Sequence, residues 1–171
     1  MTLLDKNDRD RDRLLAALLL DHQQAGVRVE LPGEPKGKGR PRARVASRGG
    51  GQQYVQVYQD AQTRSYEGML RLAGAQAMGG RAPLRGALRA LVIATFSVPQ
   101  SWSGKRRKAA LGGYLWPTGR PDADNLLKTV DALTGVVWLD DAQVVECVVT
   151  KHYGEKPALL VLVTEIKGAL L

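Results

Sequence analysis

Residues Leu88 to Val98 form a long apolar run rich in β-formers, among them Leu91, Val92, Ile93, Phe96 and Val98. A run of this kind folds as a central strand, and Pro99 ends it by removing a ladder donor. Shorter alternating segments surround it. Val27 to Leu31 reads as a strand closed by Pro32-Gly33-Glu34-Pro35, and Tyr54 to Tyr58 reads as another. Val136 to Leu139 is expected as a short strand. Gln143 to Tyr153 and Ala158 to Glu165 are expected as the last two, joined by a hairpin turn at Gly154-Glu155-Lys156-Pro157.

Helical spacing appears in three places. Thr63 to Met78 carries Tyr66, Leu70, Ala73 and Ala77 on one stripe and stops at Gly79-Gly80. Asn125 to Leu133 carries Leu126, Val130 and Leu133. Residues 3–25 carry Leu14, Leu18 and Leu19, with Gly26 as a stop. The predicted fold class is α+β: a single domain with a mixed β-sheet packed with two or three helices. Residues 1–26 are predicted to be an N-terminal helical extension and 27–171 the main domain. At 171 residues, 44% hydrophobic and only 5% aromatic, the chain can bury a core built mostly of Leu, Val, Ile and Ala.

Charge narrows the partners. The formal net charge is +8 and the pI about 9.9. That favours an anionic partner, nucleic acid first, although a merely basic soluble protein has the same balance. The cations gather in two acid-free stretches. Lys36, Lys38, Arg40, Arg42, Arg44 and Arg48 occupy one, read as a loop or irregular edge and followed by a Gly-rich turn at Ser47 to Gln53. Lys105, Arg106, Arg107, Lys108 and Arg120 occupy the connection Gln100 to Arg120, together with Trp102, Tyr114 and Trp116. Within that connection, Gly104 to Leu111 can form a short helix. Cys147 is the lone cysteine, and His22 and His152 lie far apart, so cysteine- or histidine-built zinc sites are not expected. No run spans a bilayer, and the acids in Asp5 to Arg13 do not suit a secretory leader, so a cytoplasmic location is expected.

Acids gather where the second basic stretch ends, at Pro121-Asp122-Ala123-Asp124-Asn125 and again at Asp140-Asp141. If residues 122–124 are extended, Asp122 and Asp124 share a side, and a helix starting at Asp124 or Asn125 places Lys128 one turn on from Asp124. A tight return after that helix brings Asp140 and Asp141 back toward its start. Three or four carboxylates then converge, which is unfavourable without a hard cation such as Mg2+. Each piece has a plainer alternative. Asp122 or Asp124 can cap a helix, Asp140-Asp141 can be a solvated turn, and Lys128 can lie along the surface.

The order Asp122-Ala-Asp124-Asn-Leu-Leu-Lys128, then Asp131-Ala-Leu, then Trp138-Leu-Asp140-Asp141-Ala-Gln-Val resembles the RusA family of Holliday-junction resolvases. Pro35-Lys-Gly-Lys-Gly-Arg-Pro-Arg42 resembles the opening of its phage-type members, and the likeness covers roughly residues 27 to 165. The resemblance implies a RusA-like fold and a homodimeric Mg2+-dependent endonuclease, with Mn2+ as the alternative ion. Such an enzyme makes paired nicks in four-way DNA. The resemblance gives Asp122, Asp124 and Asp141, with Asp140 beside them, as metal ligands, and Lys128 as the essential lysine. Lys36, Lys38, Arg40, Arg42, Lys105, Arg106, Arg107 and Lys108 are then expected on the DNA backbone. The dimer face is expected among Val145, Cys147, Val149, Leu160 and Leu162 or the leucines of residues 3–25, with ordinary core as the alternative. Two rival functions remain at this point: a non-catalytic DNA-binding protein, and a nuclease that prefers flaps or single strands.

Overall fold

The computed structural model describes residues 26–40, 42–48 and 52–166. The expected helix over residues 3–25 lies outside them. Six strands and three helices are described: β1 (Val27–Pro32), β2 (Arg42–Arg48), β3 (Gln52–Tyr58), α1 (Ala61–Met78), β4 (Leu88–Ser97), α2 (Gly104–Leu111), α3 (Ala123–Val130), β5 (Val144–Gly154) and β6 (Ala158–Glu165). Single 3-10 turns follow α3 at Asp131–Leu133 and precede β5 at Asp141–Gln143. The fold is α+β, as the sequence predicts.

Four strands make a mixed sheet in the order β1-β6-β4-β5. The apolar run Leu88–Ser97 is interior, antiparallel to β6 and parallel to β5. That arrangement corrects the expected β5–β6 hairpin: β4 lies between the two strands. The short connection instead crosses the end of β4. Gly154 ends β5 close against β4, where a Cβ would stand 2.5 Å from Cγ2 of Thr95. Burial alternates along β1, so Val27, Val29 and Leu31 face inward beneath α1. Leu70 of α1, Leu126 of α3, Leu133, Trp138, Val92 and Val161 close the core. Trp138 alone buries an aromatic area that brings roughly 3 kcal/mol or more of packing.

Two further expectations change. Arg42–Arg48 is not a loop but a strand, paired with β3 in a separate two-stranded ribbon, Val45 opposite Val55. Val136 to Leu139 is not a strand. The amides of Val136 and Val137 both donate to the Leu133 carbonyl at the helix end, at 3.0 and 2.9 Å, which leaves only isolated bridges from Trp138. Of the apolar residues on the last two strands, Leu162 is buried in the core, Val149 and Leu160 are half-buried, and Val145 and Cys147 on the outer strand β5 are exposed.

Candidate active site

Helix α3 organises the acids. It begins at Ala123, earlier than the sequence suggests, so only Asp122 is extended (φ −73°, ψ 157°) and Asp124 already stands in the first turn. Asp122 occupies the N-cap, yet its side chain makes no capping hydrogen bond. Its carboxylate is therefore not spent on the helix. Asp124 is spaced one turn before Lys128, whose ammonium donates to Oδ2 at 3.1 Å. That hydrogen bond is the main reason the Asp124 carboxyl lies below its ordinary range. Both side chains are exposed.

Asp131 extends the same row. It is three residues past Lys128 and seven past Asp124, spacings that share a helix face. Burial pushes its carboxyl above the ordinary value; Lys38 draws it down, Asp141 and Glu67 push it up, and Lys128 draws it down. Asp141 is thus brought within electrostatic reach of the helix. The sequence reading does not include Asp131 among the site residues, although its i+7 spacing from Asp124 is the available signal. The neighbouring Asp140 has a structural task. Its carboxylate accepts from the Ala142 amide at 2.9 Å, and the Gln143 side chain accepts in return from the Asp140 amide at 3.0 Å. Gln143 then reaches back to the carbonyls of Leu84 and Gly86, which fixes the turn that presents Asp141.

The first basic segment is stitched to α3. The Lys38 amide donates to the Asn125 carbonyl at 2.9 Å, and the Thr129 hydroxyl to the Lys36 carbonyl at 3.1 Å. Gly37 permits this approach, because a Cβ there would lie 2.6 Å from Cβ of Pro121 and 2.9 Å from Cβ of Asn125. Together these segments form an open cleft of about 810 Å³ lined by Lys36, Lys38, Arg40, Arg120 and Asp122. Lys36 and Arg40 are exposed, whereas the Lys38 ammonium sits 3.7 Å from Glu67 and 3.9 Å from Asp131. Arg42 opens β2 opposite Tyr58.

The second basic segment contains α2, as the sequence suggests. Lys105, Arg106 and Lys108 are exposed, and the Arg106 guanidinium stacks 3.8 Å over the Trp102 ring. Arg107 differs. It donates to the carbonyls of Val98 at 3.3 Å and Pro99 at 3.1 Å, and so ties α2 to the end of β4.

The donor set offered to a cation is all carboxylate oxygen, the chemistry that suits Mg2+ or Mn2+. Oε1 of Glu67 has no hydrogen-bond partner and is met only by the Lys38 ammonium at 3.7 Å, which also faces Asp131, so one lysine serves two carboxylates while Asp131 and Asp141 repel each other. The carboxylates do not, however, converge as the sequence reading expects: among the described residues no three His, Cys, Asp or Glu side chains are grouped to hold an ion. Asp124, Lys128 and Asp131 instead follow one another at helical spacing, with Asp141 close enough to raise the Asp131 carboxyl.

Carboxylates and a lysine in one row, bordered by basic segments, suit a hydrolase that works on an anionic polymer such as DNA. Comparison with known proteins makes the class specific. The chain belongs to the RusA endodeoxyribonuclease family, whose profile matches residues 32–164. It is therefore a nuclease acting on DNA, of a family that generally depends on a divalent metal. It is 32% identical over 145 residues to the uncharacterized protein YqaN of Bacillus subtilis (strain 168), covering 83% of this chain and 98% of that one. No described helix is long and apolar enough to cross a membrane.

Proposed function

We propose that the protein is a structure-selective endodeoxyribonuclease that resolves four-way DNA junctions, working as a homodimer that nicks two opposed strands. The observation that carries the reading is the row Asp124, Lys128 and Asp131 with Asp141 beside it, next to a cleft lined by Lys36 and Arg40. Asp122, Asp124 and Asp141 would hold Mg2+, with Mn2+ as the alternative, and Asp140 supports them by fixing the turn. When bound, the ion polarises the phosphodiester and lowers the pKa of water. Lys128 offsets the negative charge that gathers on the phosphate as water adds and the P–O bond to the leaving strand breaks. Lys36, Arg40, Arg42, Lys105, Arg106 and Lys108 contact the backbone. Lys38 reaches it while bridging Glu67 and Asp131, and Arg107 supports α2 from beneath.

A junction offers two equivalent strands to cut, and a two-fold dimer matches that symmetry. Of the residues expected at its interface, Val145 and Cys147 on the outer strand β5 are the exposed ones. In this proposal residues 27–171 are the nuclease domain, 1–26 are an extension, and the protein acts on DNA in the cytoplasm. A panel of four-way, flap, single-stranded and duplex substrates, each with Mg2+ and with EDTA, tests it. Cutting of the four-way junction ahead of the others is expected. Binding without cutting indicates a non-catalytic DNA-binding protein, and faster cutting of flaps or single strands identifies a different nuclease.

A further inference from the structure

The connection between β4 and α3 displays aromatic rings that the row of acids and lysine does not use. Tyr114 is 74% exposed and Trp116 44% exposed, on a stretch from Gln100 to Arg120 that contains no acid. The segment that carries them is anchored. The Tyr114 backbone amide donates to the Ala109 carbonyl at 2.9 Å, and the Tyr114 ring lies on the side of Gly112 where a Cβ would meet it at 3.1 Å. Trp116 lies against His152 with ring centroids 5.4 Å apart and planes tilted by 45°. The next residue of β5 toward its start, Lys151, donates to the Gly119 carbonyl at 2.6 Å. Trp102, at the start of the same connection, packs edge-on to Tyr153 at 5.3 Å. The whole connection is therefore pinned to the end of β5, and Asp122 follows three residues after the Gly119 anchor.

Exposed aromatic faces among Lys105, Arg106, Lys108 and Arg120 suit a ligand that is flat, apolar on its faces and anionic along its edge. A nucleotide whose base has left the stack has those properties. A second copy of this chain, meeting this segment with its own, does not, because it would set the same lysines and arginines against each other with no acid among them. Bases inside a duplex have no free face, so such a surface engages DNA only where stacking is interrupted. We propose that Tyr114 and Trp116 form a stacking surface for an unstacked base at the branch point, and that this contact separates branched DNA from duplex. The inference rests on the function proposed above and adds the feature of the substrate that is recognised.

The test uses the full chain in EDTA and four-way junctions carrying 2-aminopurine either at the branch point or in mid-arm. Wild-type protein should change the branch-point fluorescence by about twofold or more and leave the mid-arm signal alone. Tyr114→Ala should remove that change and weaken junction binding about tenfold, with duplex binding nearly unchanged; Tyr114→Trp should restore both. Trp116→Ala should act in the same direction. Unchanged signal and affinity in both alanine variants would overturn the stacking surface while leaving the function standing. A drop in sedimentation mass that accompanies weakened binding would also overturn it, by assigning the rings to a protein interface. Wild-type protein that neither binds nor cuts any branched DNA is a different result, and it brings down the function itself.

Discussion

The Lys128 ammonium stands 3.1 Å from Oδ2 of Asp124, one helical turn apart on the exposed face of α3. Two charges of opposite sign on open surface stabilise a fold by well under about 1 kcal/mol, so stability is a weak reason for the pair. Chemistry is a stronger one. Asp124→Asn, Asp122→Asn and Asp141→Asn should each lower the cleavage rate by about a hundredfold or more, since metal-assisted charge stabilisation contributes several kcal/mol. Junction affinity in gel-shift titrations should hold or tighten, because negative charge near phosphate has been removed. Lys128→Ala should also cut the rate strongly with little change in affinity. A variant that loses binding but keeps its single-turnover rate would instead place Lys128 among the residues that grip the backbone.

Asp131 gives a pH signature. Its carboxyl titrates above the ordinary value because burial, Asp141 and Glu67 outweigh the pull of Lys38 and Lys128. The stability it contributes is therefore full below the ordinary carboxyl pKa and is lost as pH climbs through the raised one. In EDTA, Asp131→Asn should melt slightly above wild type at neutral pH, and the difference should vanish in acid. Melting below wild type at neutral pH would mean that the Lys38 ion pair outweighs burial.

Gly37→Ala probes how the basic loop is seated. The added methyl would meet Cβ of Pro121 at 2.6 Å and Cβ of Asn125 at 2.9 Å, so the loop must withdraw from the start of α3. Overpacking of this kind costs about 1–3 kcal/mol. Thermal melting should fall accordingly, and cleavage should fall further than melting accounts for, because Asp122 stands at the helix start from which Lys36 and Lys38 are drawn away. Wild-type activity in Gly37→Ala would separate the loop from the site.

The arginines of α2 should behave differently from one another. Arg106→Ala, Lys105→Ala and Lys108→Ala should each flatten the slope of log affinity against log salt by about 0.9 for every phosphate that is no longer neutralised. Arg107→Ala should instead lower stability, because its guanidinium holds the carbonyls of Val98 and Pro99. An Arg107 variant that flattens the slope without a change in melting would reverse that division.

These outcomes mark where the sequence is legible. The apolar run after Leu88, the stripe on α1 and the short helix from Gly104 all announce themselves locally, through β-formers, helical spacing and turn residues. Strand order does not. The compact Gly154–Pro157 connection looks like a hairpin, and nothing near it reveals that β4 pairs with both of its flanking strands. The strand Arg42–Arg48 is hidden because its alternation is brief, Arg42-Ala43-Arg44-Val45, and lies between the Pro- and Gly-rich stretches on either side, and its pairing with β3 supplies the missing signal. In the site, the i+4 relation of Asp124 and Lys128 follows from spacing alone. The electrostatic link between Asp131 and Asp141 needs the fold, because it depends on where the chain returns after Trp138.

The most direct measurement is cleavage of a supercoiled plasmid that extrudes a cruciform, because one substrate then reports metal dependence, junction selectivity and paired cutting together. Wild-type protein with Mg2+ should convert the plasmid straight to linear DNA cut at the cruciform base, with little nicked circle on the way. EDTA and Asp124→Asn should each abolish the product. Nicked circles alone would contradict the paired, dimeric mechanism, and linear product that persists in Asp124→Asn would contradict the site.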